Sequence, residues 1–183
     1  MKETSILFTP DNIRAILDRR KHQTRRVLNG ERYKYGIAGD RLYIKEGAWV
    51  WCDAVPNGTT GTERPKVHYV PVGNHVVYCL GNKKPTERID DTPRHCWHHR
   101  TAMFMPKKDA RTWLELTDVR VERLQDISAE DALAEGITHS TMNDPRVEYQ
   151  WLWDSINAKT HPWSNNDWVW VLTFKAIPRE VTA

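Results

Sequence analysis

Near the end of this 183-residue chain, Trp168-Val-Trp-Val-Leu-Thr-Phe174 carries apolar side chains on both of its alternating faces. A strand of that kind needs cover on both sides, so it belongs in the middle of a sheet or in a closing barrel position. The rest of the chain must supply neighbouring strands and a layer to bury them. The length allows one domain with a sizeable core, or a domain carrying one large insertion. Apolar content of 39% and charged content of 28% lie close enough to globular averages that a soluble folded protein is expected.

Other segments read as partners of that strand. Ser5–Phe8 is a short apolar run that reads as a first strand. Thr9-Pro10 supplies a hydroxyl cap and a proline at the first helical position, and Ile13, Ile16 and Leu17 follow on one stripe. Arg41–Glu46 alternates like a half-buried strand, with Trp49–Cys52 extending it past Gly47. Leu114, Leu116, Val119 and Val121 are strand-like, with a bulge expected at Thr117-Asp118. Ile127-Ser-Ala-Glu-Asp131 is a capping box that opens a short helix running to Glu135, where Gly136 ends it. Asp144-Pro145 opens another helix, with Val147, Trp151 and Ser155 predicted on its packed face.

Between residues 51 and 110 the texture changes. Asn57–Thr62 is a turn cluster, and Val67–Val70 and His75–Leu80 flank Gly73-Asn74 as a predicted hairpin. Gly81–Arg94 reads as an exposed polar loop. The region offers few core positions, so it is expected to be an elaborated insertion in a single domain spanning 1–183 rather than a second domain.

The helix that begins at Pro10 runs into a dense basic segment. Arg19, Arg20, Lys21, Arg25 and Arg26 fall within eight residues that contain no acid. The helix loses its apolar stripe there, so Lys21–Arg26 is expected in a loop or short extended piece. A solvated helix end accounts for two or three such charges but not for five plus His22, which favours binding of phosphate or chemistry. The net charge of +3 identifies no partner by itself. Nine tryptophans invite the thought of base stacking, although core packing is their ordinary use. Trp49 and Trp51 are the two that alternation would aim into a cleft.

Several classes are disfavoured. There is no apolar run long enough to span a membrane, and the start does not read as a signal peptide. Cys52, Cys79 and Cys96 are odd in number and widely spaced, so no disulfide framework is expected and a reducing cytoplasm is the simplest location. Arg94-His-Cys-Trp-His-His99 contains zinc-ligand types, but no Cys-x-x-Cys pair accompanies them, so no metal or other cofactor is expected. No Gly-rich phosphate loop, Ser-His-Asp order or metalloprotease helix is visible, and nothing fixes an oligomeric state.

Four blocks, Ile13–Arg26, Gly39–Glu46, Leu116–Gly136 and Trp168–Phe174, together resemble the ASCH domain of the PUA-like superfamily, more particularly the ASCH proteins of tailed phages and prophages. The resemblance implies an α+β, mainly β fold: a PUA-like β-barrel with short flanking helices, here with a large insertion. It implies RNA, a nucleoside or a modified nucleic acid as partner, in a cleft beside the first helix. One branch is an amidohydrolase that removes an acyl group from the exocyclic amine of cytidine; its catalytic lysine, threonine and glutamate fall on Lys21, Thr24 and Glu135. Another branch is described as cutting RNA, and the wider superfamily includes non-catalytic readers of modified bases. On this reading Arg19, Arg20, Arg25, Arg26, Glu46 and Trp49 border the nucleic acid, and crowding by Arg19, Arg20 and Arg25 makes Lys21 a base. His22, Gln23 and Arg25 are bulkier or more charged than the residues of the amidohydrolase branch, and Lys45-Glu46-Gly47 departs from the phage-type pattern.

Overall fold

The computed structural model describes residues 1–28, 34–59, 65–79, 83–138 and 144–177. Among these residues it has eight strands: β1 (Glu3–Leu7), β2 (Gln23–Val27), β3 (Arg41–Lys45), β4 (Ala48–Thr59), β5 (Pro65–Tyr78), β6 (His95–Arg100), β7 (Trp113–Arg123) and β8 (Trp168–Ile177). Three α-helices accompany them: α1 (Pro10–Leu17), α2 (Ala129–Ala134) and α3 (Pro145–Asn157). The fold is α+β and mainly β. No helix among the described residues is long and apolar enough to cross a membrane. The chain divides into two compact units, Met1–Ile44 with Ala110–Ala183, and Lys45–Asp109.

The first unit is built on a sheet of order β1-β3-β7-β8-β2. β8 is an interior strand, antiparallel to both β7 and β2. Val169 and Val171 pack into a cluster with Leu124, Ile127, Ala132, Tyr149 and Trp153. Leu172 and Phe174, which alternation puts on the opposite face, are buried as well. β8 is thus covered on both sides, as its composition requires. The β7–β8 register shifts between Leu116 and Asp118, at the expected bulge.

Capping chemistry places the helices. Thr9 accepts a hydrogen bond from the Asn12 N–H and starts α1, which buries Ile13 and Ile16. α1 stops at Asp18, and Arg19 follows with a left-handed φ of 59°. Ser128 accepts from the Asp131 N–H to start α2, and Glu135 and Gly136 end it, Gly136 at φ 89°. α3 starts as expected at Asp144, but its packed face is different. Tyr149 and Trp153 are buried, whereas Val147 and Trp151 are exposed, Trp151 to 59%. Two stripes on this helix satisfy the i, i+4 spacing, and the aromatic one joins the core cluster.

The second unit holds a sheet of order β5-β4-β6. The predicted hairpin at Gly73-Asn74 does not form: β5 runs continuously past it and pairs with β4 on both sides. Val50 pairs with Val76 and Cys52 with Pro71, so Val72–His75 bulge opposite Trp51, with Gly73 at φ 64°. Both arms of the expected hairpin find β4 instead of each other. Part of the Asn57–Thr62 turn cluster lies outside the described residues. The polar segment before β6 is not merely an exposed loop: the Trp97 indole donates to the Glu87 carbonyl (2.7 Å), the Trp51 indole donates to Asp90 (3.0 Å), and Arg88 stacks over Trp51.

Candidate functional site

The basic segment becomes strand β2, and the two-residue period of a strand sorts its side chains. Gln23 and Arg25 fall on one face, Thr24 and Arg26 on the other, with Lys21 just ahead in an isolated bridge to Glu135. That bridge depends on close approach of the α2 terminus. A β-carbon at Gly136 would lie 2.8 Å from the Lys21 Cβ and 3.0 Å from the Ala15 Cβ, so a side chain there would push the two segments apart. The His22 N–H donates to the Ala134 carbonyl, and the Lys21 N–H to the Ala15 carbonyl, which completes the attachment.

Lys21 and Glu135 are both buried, and their Nζ and Oε2 are 2.5 Å apart. Lys21 Nζ also donates to the Glu135 carbonyl at 2.8 Å. The other carboxylate oxygen of Glu135 receives Arg25 at 3.3 Å and the Tyr149 hydroxyl at 3.4 Å. Arg25 continues the network to Glu122 (2.5 Å), Asp131 (2.7 Å) and Gln23 (2.8 Å). Arg120 and Gln23 also reach Asp131, so this acid in the first turn of α2 is an anchor for the basic strand.

Burial lowers the Lys21 pKa below the ordinary lysine range; Glu135 opposes that shift, and Arg26 and Arg25 add to it. The cause differs from the expected crowding by Arg19 and Arg20. Arg19 is exposed at the helix end, and Arg20 turns to Asp18 (3.1 Å) and the Gly136 carbonyl. Burial works against the Arg25 charge too, but Glu135, Tyr149 and Glu122 outweigh it and raise its pKa. The Tyr149 pKa is raised well above the ordinary phenol range, by burial first and by Glu135 next, so its hydroxyl stays a donor.

A cavity of about 250 Å³ opens beside this network. Lys21, Thr24, Arg25, Arg26 and Glu135 all line it, so the three residues expected to be catalytic meet at one hollow within the first unit. Phe8, Leu152, Trp153 and Ile156 give it apolar walls, and Asn12 and Tyr149 add polar groups. Thr24 accepts from Arg26 Nη1 at 2.8 Å. Glu46 and Trp49, expected at the cleft, belong to the second unit. There the buried Glu46 donates its N–H to the Met105 sulfur, and Trp49 lies half-buried against His99, with ring centres 5.1 Å apart.

The sequence reading did not anticipate Phe8, Tyr149, Glu122 or Asp131 in this site. The acids carried a usable signal, because a buried basic strand requires carboxylates from elsewhere. Nothing in the sequence marks Phe8 beyond its place at the end of an apolar run. Among the zinc-ligand types of the second unit, His95 pairs with Asp90 (2.8 Å), His98 stacks on Tyr69 (3.8 Å), and Cys52 is opposite Cys96 across β4 and β6. No cluster of three or more metal-ligand side chains occurs among the described residues.

No protein-family model and no curated protein matches the chain. Among solved structures it is similar to the crystal structure of an Enterococcus faecalis protein of the DUF984 family, at 12% identity and a TM-score of 0.46, over 97% of this chain and 77% of that one. It is also similar to an ASCH domain from Lactobacillus crispatus, at 10% identity and a TM-score of 0.43, over 97% of this chain and 81% of that one.

Proposed function

We propose that the protein hydrolyses the amide joining an acyl group to the exocyclic amine of a cytidine-type nucleoside, in the cavity lined by Lys21, Thr24 and Glu135. The observation that carries this reading is the buried Lys21–Glu135 pair at 2.5 Å, facing the same hollow as Thr24. Burial lowers the Lys21 pKa below that of an exposed lysine, which favours its service as a base. The similarity of Ile13–Arg26 and Leu116–Gly136 to ASCH sequences supports the choice of substrate.

In this reading a water attacks the acyl carbon as its proton passes to neutral Lys21 Nζ. The carbonyl becomes an oxyanion, which the Thr24 hydroxyl meets as donor. The carbon–nitrogen bond then breaks, and the proton moves from Lys21 through Glu135 to the departing amine. The products are a carboxylic acid and the free exocyclic amine. Amide, water and proton are all accounted for, and no further reactant is needed.

The cavity volume favours this chemistry over strand cleavage. At about 250 Å³ it falls just under the roughly 300–1,000 Å³ of drug-sized ligand sites, which matches a base with a small substituent. Lys21 and Arg25 are committed to carboxylates rather than poised for a run of phosphates.

The test is chromatography of purified protein incubated with cytidine acetylated on its exocyclic amine. Release of cytidine and acetate is expected, with a loss of about 10²-fold or more in Lys21→Ala and Glu135→Gln. No release by the wild-type protein, with tight binding that both variants retain, would make it instead a binding module for modified bases.

A further inference from the structure

One face of β8 changes character along the strand. Leu172 and Phe174 are buried, but Trp168 and Trp170, which alternation puts on the same face, reach the surface, Trp168 to 47% and Trp170 half-buried. The neighbouring strands continue that face. On β7, Val121 lies opposite Trp170 and Arg123 opposite Trp168, and both are exposed. On β2, Arg26 lies opposite Trp170. Two indoles spaced by about 7 Å of strand therefore share one end of the sheet face with a valine and two arginines. The acids of this part of β7, Asp118 and Glu122, are on the opposite face, bonded to Arg120.

A tryptophan exposed singly needs no explanation, but Trp168 is part of a built arrangement. The Arg123 guanidinium lies 4.3 Å from the Trp168 ring centre and donates to the Asn166 carbonyl at 3.1 Å. Among the described residues no carboxylate forms an ion pair with it, so it keeps its charge. Indole rings and guanidinium planes are surfaces on which an unpaired base stacks, and the free charge attracts phosphate. An apolar protein surface laid here would bury the Arg123 charge without a counter-ion, at a cost. A nucleotide meets both needs, with its base on the ring and its phosphate near the cation. The face is also continuous with the cavity, since Thr24 and Arg26 line that hollow and Arg26 is the residue opposite Trp170.

We propose that Trp168, Trp170 and Arg123 form a stacking platform for single-stranded nucleic acid, which holds the nucleotides next to the one whose base enters the cavity. The entry of a base into the cavity rests on the hydrolase reading above. The grip on the strand rests on the sheet face alone. A modified base within a strand is then a better substrate than the free nucleoside, because the platform adds binding that the nucleoside cannot reach.

The experiment uses fluorescence anisotropy with labelled ten-residue oligonucleotides of one mixed sequence, as RNA and as DNA, and with the RNA duplex as control. Trp168→Ala is expected to weaken single-strand binding by about tenfold, within the range for loss of one stacked base. Arg123→Gln should weaken it by about threefold or more, and Trp168→Phe should keep it within about threefold of wild type. Trp151→Ala, which removes an equally exposed indole from α3, should leave it unchanged. Turnover of acetylated cytidine should stay within about twofold in Trp168→Ala, whereas KM for the same base within an oligonucleotide should rise by about tenfold at constant kcat. Thermal melting separates any loss of fold. Trp168→Leu, apolar but not aromatic, takes the place of Trp168→Ala if the latter does not fold.

No binding of either single strand, a duplex bound as tightly, or wild-type affinity in both Trp168→Ala and Arg123→Gln would overturn the proposal. So would an equal loss in Trp151→Ala. A protein that binds the strand through Trp168 yet releases no cytidine would sink the hydrolase reading and leave the platform standing. Turnover of the nucleoside with no effect of Trp168 on the oligonucleotide would do the reverse.

Discussion

Strands β2 and β6 look alike as sequence, Gln-Thr-Arg-Arg-Val after Lys-His in one and His-Cys-Trp-His-His-Arg in the other. Each is crowded with residue types that do chemistry, and each fills an edge position of its sheet. Their partners set them apart. In β6 the reactive groups are taken up by aromatic or acidic neighbours: His95 meets Asp90, Trp97 meets Trp51, His98 meets Tyr69 and His99 meets Trp49. In and just before β2 the charges are met by acids far away in sequence, on β7 and α2, and the pairing leaves Lys21, Thr24 and Arg26 facing a hollow. Chemically rich composition makes a site only where buried groups remain turned toward empty space.

The strongest way to break this comparison is to remove one acid from each region. Glu135→Ala leaves the buried Lys21 without its acid, while Arg25 keeps Glu122 and Asp131, and losing one partner of a buried pair costs roughly 3–5 kcal/mol. Asp90→Asn leaves one amide oxygen, which keeps the bond from either the Trp51 indole or the Thr92 N–H but not both, in a partly exposed setting. Urea unfolding should show a large drop for Glu135→Ala and a clearly smaller one for Asp90→Asn. Equal drops would mean that β2 and β6 differ in composition only.

A pH titration sharpens the same contrast. Folding lowers the Lys21 pKa, through burial above all. Between that lowered value and the ordinary lysine range, the unfolded chain therefore holds more protons than the folded one. Stability rises with pH across that window, by about 1.4 kcal/mol for each unit of lowering. Lys21→Met should flatten the rise in alkaline unfolding curves. On the mechanism proposed above, in which Lys21 acts as the base, turnover should climb over the lower part of the same window. For Asp90 the sign is opposite: hydrogen bonds from His95 and Trp51 hold its carboxyl well below the usual carboxylate range, so its contribution is present above that range and fades only in strong acid.

Much of the first unit was legible because local rules agree with the fold. Thr9-Pro10, Ser128–Asp131 and Gly136 mark helix ends with groups that do nothing else so well, and Trp168–Phe174 had to be central. The grouping of Lys21, Thr24 and Glu135 was expected only from the resemblance described under Sequence analysis, because no local rule links a strand start to a helix end 114 residues away. What stayed hidden depended on choices made only in three dimensions. Gly73-Asn74 satisfies a turn, yet β4 offered both flanks a better partner. That β2 needs carboxylates follows from its composition, but nothing local to Glu122 or Asp131 says that they are the ones Arg25 meets.

Helix α3 shows how such a choice is tested, with a smaller effect expected on one of two faces. Val147 and Trp151 form a stripe at helical spacing, and so do Tyr149 and Trp153. Only the second stripe reaches the cluster with Val169 and Val171, and Trp153 also donates to the His161 carbonyl at 2.8 Å. Trp153→Ala should therefore cost roughly 3–5 kcal/mol and reshape the cavity wall, whereas Trp151→Ala should stay within about 0.5 kcal/mol, as surface changes do. Denaturant midpoints of the two variants decide the matter. If Trp151→Ala proved the more damaging, the helix would be rotated by about 160°, the angle between positions two residues apart at about 100° each. Tyr149 would then be carried away from Glu135, and the hydroxyl that steadies its carboxylate would no longer be part of the site.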